Sequence, residues 1–277
     1  MLAEISDLDY LLVVPNSIAI IIPLYNEEAR FDSTYFHTLG SNFVEEVNFL
    51  FVDDGSTDLS YELARNLKAQ FKNMGILRLA INGGKAEAIR TGFLHLLSDD
   101  ANYDGIGYLD SDGAFDVRDL KNCIESFQRN CKAGDCDAVF AARLAIGGRR
   151  IKRSRFRHFL GRLISYVAKL GLPNPPWDTQ AGLKIFSPST SLIDIFDTPF
   201  RTRWLFEIEL LQRYLVNNRR LMNVWEEPLS TWVDKPGSKL NPSTYINVFI
   251  SVLYIMYVNL IRITPLRLKG VINEKRV

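Results

Sequence analysis

Cysteine is scarce in this chain. Its 277 residues hold three, Cys123, Cys131 and Cys136, all within fourteen positions, and no histidine cluster lies beside them. An odd trio without a fourth ligand at short spacing excludes an ordinary structural zinc site, and three reduced thiols in a cytosolic protein are expected. Long apolar runs are missing too: none reaches the roughly 20 unbroken residues of a membrane span. The first sixteen residues carry Glu4, Asp7 and Asp9 and no basic region, so no signal peptide is expected. Internal repeats and low-complexity linkers are also lacking. Bulk charge of one sign is absent, the formal net charge being +1, but that balance hides an uneven distribution. Nine Lys/Arg and no Asp/Glu lie between Arg143 and Lys169, while the acids cluster earlier, around Asp53, Asp99 and Asp110.

What is present describes a folded α/β protein. Hydrophobic residues at 47% and charged residues at 23% exclude a disordered chain, and the length suits one large α/β domain or two small ones. Apolar runs at 18–22, 47–52, 106–109 and 138–141 read as strands. Between them, residues 57–71 carry Leu59, Leu63 and Leu67 at i+4 spacing, and residues 86–97 carry Ile89, Phe93 and Leu96, so both read as helices. Alternation of this kind predicts a mostly parallel sheet flanked by helices. In such sheets ligands bind beyond the carboxyl ends of the strands. Here four strand ends run directly into polar residues: Tyr25-Asn26-Glu27, Asp53-Asp54, Asp110-Ser111-Asp112 and Arg143.

Asp110 and Asp112 are the centre of the chemical reading. Two carboxylates one residue apart after a strand can converge on Mg²⁺ or Mn²⁺, which takes oxygen ligands and shares its shell with substrate phosphates. In sugar transfer such a cation neutralises the nucleoside diphosphate as it leaves. The alternative for an isolated D-x-D is a solvated turn. Asp54 can accept a ring N–H of uracil or guanine, while Ser56 or Thr57 can cap the following helix with Asp58 in its first turn. Tyr25 can offer a ring face or hydroxyl to the base and Glu27 an acceptor. Asn82-Gly-Gly-Lys85 precedes a helix whose N-terminus, with the Lys85 ammonium, suits a diphosphate.

These segments, taken together, resemble a known family. Ile22-Pro-Leu-Tyr-Asn-Glu-Glu28, Phe51-Val-Asp-Asp-Gly-Ser-Thr-Asp58, Asn82-Gly-Gly-Lys85 and Leu109-Asp-Ser-Asp112 are similar, in order and spacing, to the signatures of family 2 glycosyltransferases. Asp178-Thr-Gln-Ala-Gly-Leu-Lys184, Arg203-Trp-Leu-Phe-Glu-Ile-Glu-Leu-Leu211 and Gly237-Ser-Lys-Leu240 further resemble the polyprenyl- or dolichyl-phosphate glucose and mannose synthases. The resemblance implies a GT-A fold over residues 1–240, a nucleotide-diphosphate sugar donor (UDP-glucose or GDP-mannose), a polyprenyl-phosphate acceptor and inversion by single displacement. It implies that Pro23, Tyr25, Glu27, Val52 and Asp54 hold the nucleoside. Asp110, Ser111 and Asp112 then serve the metal and diphosphate, and Arg143 and Lys239 bind acceptor phosphate or donor diphosphate. The sequence departs from the mannose synthases at Ala114, where those enzymes often carry a further Gln ligand. A lipid phosphate is already ionised near neutral pH, its second pKa being about 6, so it needs no strong base. A hydroxyl acceptor would need one, and Asp178 and Glu207 are the candidates.

The remaining segments bear on location. Residues 153–172 read as a basic amphipathic helix, and residues 241–277 as an amphipathic helical tail. In that tail Asn247, Ser251 and Asn259 form a polar seam among apolar residues, with Arg262, Arg267 and Lys269 following. This suits a helix lying in the headgroup region, which predicts a peripheral or monotopic protein on the cytoplasmic face of a membrane. The alternative is packing on the domain or an oligomer contact. A nucleotidyltransferase would carry a Gly-rich basic loop where residues 22–30 are acidic. A non-catalytic sugar-binding subunit would not need both metal carboxylates, and the basic run at 149–157 abuts an apolar face that fits lipid better than nucleic acid.

Overall fold

The β-branched run at 18–22 becomes the centre of a sheet. A computed structural model describes residues 5–9, 17–98, 102–144, 147, 149–152, 166–167, 170, 172–233 and 242–272. Its strands are β1 (Ile5–Asp9), β2 (Ile18–Leu24), β3 (Val47–Asp53), β4 (Met74–Leu79), β5 (Gly105–Leu109), β6 (Ala138–Ala142), β7 (Arg150–Lys152), β8 (Leu183–Phe186), β9 (Val224–Pro228) and β10 (Thr231–Val233). Eight form one sheet in the order β1-β4-β3-β2-β5-β8-β6-β9, while β7 and β10 pair separately in parallel. Six of the eight run one way; β1 and β8 run against their neighbours.

Every residue of β2 and β3 is buried, the pattern of strands covered on both faces. Alternation divides them between two cores. Ile18, Ile20, Ile22, Phe49 and Phe51 face one, and Ala19, Ile21, Leu50 and Val52 the other. The first core is closed by α1 (Ser33–Asn42), α2 (Ser60–Gln70) and α4 (Val117–Ser126). The second is closed by α3 (Lys85–Ser98), α5 (Thr190–Asp197) and α6 (Phe206–Asn218). Phe93 of α3 stacks on Phe196 of α5 at 4.1 Å, a contact contributing about 0.5–1.5 kcal/mol beyond its burial. Arg90, 1% exposed, grips Glu87 at 2.7 and 2.8 Å and donates to the carbonyls of Phe196 and Asp197. These contacts lock the orientation of α3, whose first residue, Lys85, reaches the cleft.

Two expectations are corrected here. Cys131 and Cys136 form a disulfide across a turn that brings their Cα atoms to 4.4 Å, so the cysteines are not all reduced; Cys123 alone is free, and buried. The cause is the turn at 132–134, closed by the Gly134 N–H on the Cys131 carbonyl at 3.0 Å and the Asp135 N–H on the Asn130 carbonyl at 2.8 Å. The helix expected from Thr57 starts at Ser60; its N-cap position is Leu59, with no capping side chain, and Asp58, one residue earlier, accepts from the Ser60 N–H at 3.0 Å. Residues 56 and 57 are occupied elsewhere, as described below. The basic helix expected at 153–172 lies almost wholly outside the described residues, as does Lys239.

The chain ends in a long helical segment: α7 (Pro242–Val258), a π-turn (Asn259–Ile263) and α8 (Thr264–Leu268). Ser251, Ile255 and Ile263 are buried against the domain, and Gln212 of α6 donates to the Ile255 carbonyl at 3.0 Å. The polar seam therefore faces protein. Phe249, Leu253, Met256, Tyr257 and Leu260 point outward, 46% to 65% exposed. Residues 247–268 are long and apolar enough to cross a membrane.

Candidate active site

The carboxyl ends of β2, β3 and β5 open onto one cleft of about 200 Å³, lined by Pro23, Tyr25, Glu27, Asp54, Lys85 and the Asp110-Ser111-Asp112 turn, together with Leu24, Arg30 and Ala88. Eight residues singled out in the sequence thus come together. Val52 does not reach the cleft; it is fully buried in the core beneath. Arg30 was missed. Its guanidinium pairs with Glu27 at 2.5 Å, and the i,i+3 spacing of opposite charges was the available signal.

Two loops form the floor. Asn26 adopts φ +50°, a left-handed conformation that asparagine tolerates. Its backbone N–H donates to Ser56 Oγ at 3.0 Å, and its side-chain oxygen accepts from the Thr57 N–H at 2.9 Å. The Glu27 N–H donates to Ser60 Oγ at 2.7 Å, and Glu28 and residues 58–59 exchange two further bonds. The β2 and β3 loops are thereby zipped together before any ligand arrives.

Asp54 ties this floor to the next loop. Its carboxylate accepts from the N–H groups of Gly83 and Gly84 at 2.8 and 2.7 Å and from the Asn82 amide at 2.9 Å. Gly84 sits at φ +89°, which glycine reaches without strain. Burial pushes the Asp54 carboxyl up to about 6, with the two glycine hydrogen bonds pulling the other way. A carboxylate offers about four lone-pair sites, so acceptor capacity remains for a base N–H.

The Asp110–Asp112 turn lies opposite. Lys85 Nζ stands 2.6 Å from Asp110 Oδ1, and Asp112 accepts from the Ala114 N–H at 3.0 Å. Burial, and then the Asp110 carboxylate, raise the Asp112 carboxyl above its ordinary range. Two oxygen donors brought together at this cost suit a hard divalent cation that completes its shell with phosphate and water. Among the described residues no group of three or more His, Cys, Asp or Glu encloses an ion, which disfavours an all-protein metal cage.

Antiparallel β8 joins this turn to the remaining candidates, which do not line the cleft itself. Asp110 N–H donates to the Gly182 carbonyl at 2.8 Å, and a Cβ on Gly182 would collide with the Asp110 carboxylate. Upstream, Asp178 is gripped by Arg143: Nε and Nη2 each donate at 2.7 Å and the Arg143 backbone N–H at 3.0 Å. The two candidates are thus counter-ions of each other, and Arg143 also stacks over Trp232 at 5.1 Å. Glu207, at the start of α6 and 4% exposed, accepts from the Tyr108 hydroxyl and the Gln180 amide, both at 3.3 Å. Beneath lies Lys184, fully buried, donating to the Ala181 carbonyl and lying 5.2 Å from the Tyr108 ring. Its burial pulls the ammonium down to about 8, although Glu207 opposes this. Gln180, Tyr108 and Lys184 were not singled out: Tyr108 sits inside the apolar run of β5, Gln180 lies in the turn before β8, and Lys184 lies in β8, four residues long and too short for its pattern to be read.

Fold and cleft define a GT-A nucleotide-sugar transferase. Among solved structures, this chain is similar to glucosyl-3-phosphoglycerate synthase from Mycobacterium tuberculosis in complex with Mn²⁺, UDP and its product, with TM-score 0.58 and 15% identity over 88% of this chain and 79% of that one. It is also similar to a mannosyltransferase from Pyrobaculum calidifontis in complex with GDP-Man and Mn²⁺, with TM-score 0.55 and 15% identity over 91% and 74%. At such identity the likeness is one of fold. The model of the glycosyl transferase family 2 matches residues 19–179, and the chain belongs to that family. It is 30% identical to the dolichyl-phosphate beta-glucosyltransferase of Drosophila melanogaster, covering 81% of this chain and 69% of that protein. Against the Saccharomyces cerevisiae protein of that name it is 29% identical, over 80% and 69%.

Proposed function

We propose that this glycosyltransferase moves glucose from UDP-glucose to a dolichyl or other polyprenyl phosphate, with inversion, at a membrane surface. The observation that carries the reading is the state of the two candidate bases, Asp178 and Glu207. Asp178 is committed to Arg143, and Glu207 is covered by Tyr108 and Gln180, so each candidate base already has partners. An acceptor that arrives ionised needs no base. The relatives named as dolichyl-phosphate beta-glucosyltransferases support the same donor and acceptor, and GDP-mannose has no comparable support.

In this reading Asp54 accepts the uracil ring N–H and Tyr25 lies along the base. Asp110 and Asp112 would hold Mg²⁺ or Mn²⁺, whose charge offsets that of the departing diphosphate. Lys85, at the N-terminus of α3, faces the same oxygens. The acceptor oxygen attacks the anomeric carbon as the bond from that carbon to UDP breaks; Lys239 helps bring the two anions together, and Arg143 shares its charge between Asp178 and the incoming phosphate. The outward face of α7 rests in the bilayer, and the basic residues beyond it suit the anionic cytoplasmic leaflet.

Initial rates with UDP-glucose and GDP-mannose, each with and without polyprenyl phosphate, test the proposal. UDP-glucose with the lipid phosphate should yield a glucolipid. Efficient glucosylation of a soluble sugar, with polyprenyl phosphate neither reacting nor competing, would sink the lipid acceptor and leave the family membership standing. In that case Glu207→Gln should cause the larger loss.

A further inference from the structure

The C-terminal helical segment sends its residues in three directions. One stripe is buried on the domain and one points outward, as described above. A third, Tyr254, Val258 and Arg262, runs along the edge between them and lines a cleft of about 670 Å³. The opposite wall is formed by residues 198–201 and by α6, and none of the lining residues belongs to the active-site cleft.

The charges in this second cleft are unequally satisfied. Arg213 donates to the carbonyls of Ile195, Thr198 and Pro199 at 2.7 Å and to Glu209 at 2.8 Å. Glu209 also accepts from the backbone N–H groups of Arg201 and Thr202, so it and Arg213 neutralise each other within the wall. Arg201 and Arg262 differ. Both are exposed, and neither side chain makes a hydrogen bond or ion pair with a described residue. Both act electrostatically on Tyr254. Against these two guanidinium groups the lining offers one further carboxylate, Asp194. An unpaired basic cleft thus adjoins an exposed apolar helix face, the juxtaposition found at an anionic bilayer surface.

We propose that this cleft is a headgroup site for an anionic phospholipid. Its phosphate lies between Arg201 and Arg262 beside the Tyr254 hydroxyl, and its acyl chains run along the outward face of α7. The site rests on the membrane reading given above, and adds to it a fixed point: one bound lipid sets the rotation of the domain about the helix and so the direction in which the active cleft faces.

Flotation with phosphatidylcholine vesicles, and with phosphatidylcholine mixed with phosphatidylglycerol, tests this on the full chain. Wild type should bind both, the anionic mixture more tightly. Arg201→Gln with Arg262→Gln should retain binding to neutral vesicles, which reports an intact helix, and lose most of the anionic preference. Two basic residues at such a surface contribute about fivefold each, or on the order of 20-fold together. Arg267→Gln with Lys269→Gln removes the same charge from the exposed end of the segment and should lose clearly less. Equal loss in the two double variants would reduce the effect to general surface charge and overturn the site, as would an unchanged preference in the Arg201/Arg262 variant. Wild type failing to bind either vesicle would overturn the membrane reading itself.

Discussion

Gly182→Ala separates the placement of one carboxylate from the stability of the fold. A Cβ at this position would overlap the Asp110 carboxylate, whose farther oxygen would lie only 2.6 Å away, where 3.4 Å begins ordinary contact. That oxygen must therefore move about 0.8 Å, and the nearer one farther still. Nothing else resists the methyl group to the same degree. The backbone of Gly182 is outside the left-handed region, so alanine is conformationally allowed. The Asp110 side chain keeps 30% exposure and can swing aside. The expected cost in stability is therefore below about 1 kcal/mol. Activity should suffer far more, because a misplacement of about 1 Å at a reacting centre costs roughly 100-fold. The assay is the initial rate with UDP-glucose and polyprenyl phosphate at saturating Mn²⁺, alongside a thermal melt. A rate within a few-fold of wild type at an unchanged melting temperature would refute the claim that Asp110 must stand where Gly182 lets it stand.

Four further expectations follow. Asp112→Ala should abolish transfer with the fold intact, and excess chelator should do the same to wild type; activity surviving either would remove the metal from the reaction. Asp54→Ala should weaken UDP binding by about 1–3 kcal/mol in titration calorimetry, the usual cost of a lost charge-assisted hydrogen bond. With its carboxyl raised to about 6 by burial, wild type should lose stability relative to Asp54→Asn as pH rises from about 4 through about 6; a pH-independent difference in melting temperature would contradict the assignment. Arg143→Ala leaves Asp178 without its counter-ion and should cost about 3–5 kcal/mol of stability. Asp178→Asn should cost less, because arginine then keeps a neutral partner and reaches solvent; a reversed order in urea denaturation would rule out the pair as drawn.

Legibility in the sequence followed burial. β2, β3, β5 and β6 were readable because each is a continuous apolar run ending in charged or polar residues, the signature of a strand covered on both faces. β8 escaped notice because its four residues include Lys184, whose ammonium is buried by rings and a carbonyl rather than by anything nearby in sequence. α1 was equally hidden: its Thr, Ser and Gly content weakens the helical pattern, and Asp32 supplies the cap at Tyr35. Motif residues around the donor were located because each follows its strand directly. The Arg143–Asp178 pairing was not legible, since 35 residues separate the two and only the reversal of β8 joins them. The tail was read as amphipathic with its polar seam toward headgroups; buried Ser251, and Asn259 donating to the Leu170 carbonyl, show that seam turned toward the domain.

The reversed strand β8 has a consequence for how such an enzyme can diversify. In the proposed function the donor half of the cleft is assembled from consecutive strand–helix units, β2 to β5, each contributing one loop. The acceptor half is hung on a strand entering from the opposite direction, and the two halves meet at Gly182 against Asp110. Between β6 and that seam none of the described residues lines the cleft, so the chain there can change its length or side chains without touching the nucleotide side. On that reading a lineage can exchange acceptors while keeping its donor, provided the residue facing Asp110 at the seam stays as small as Gly182.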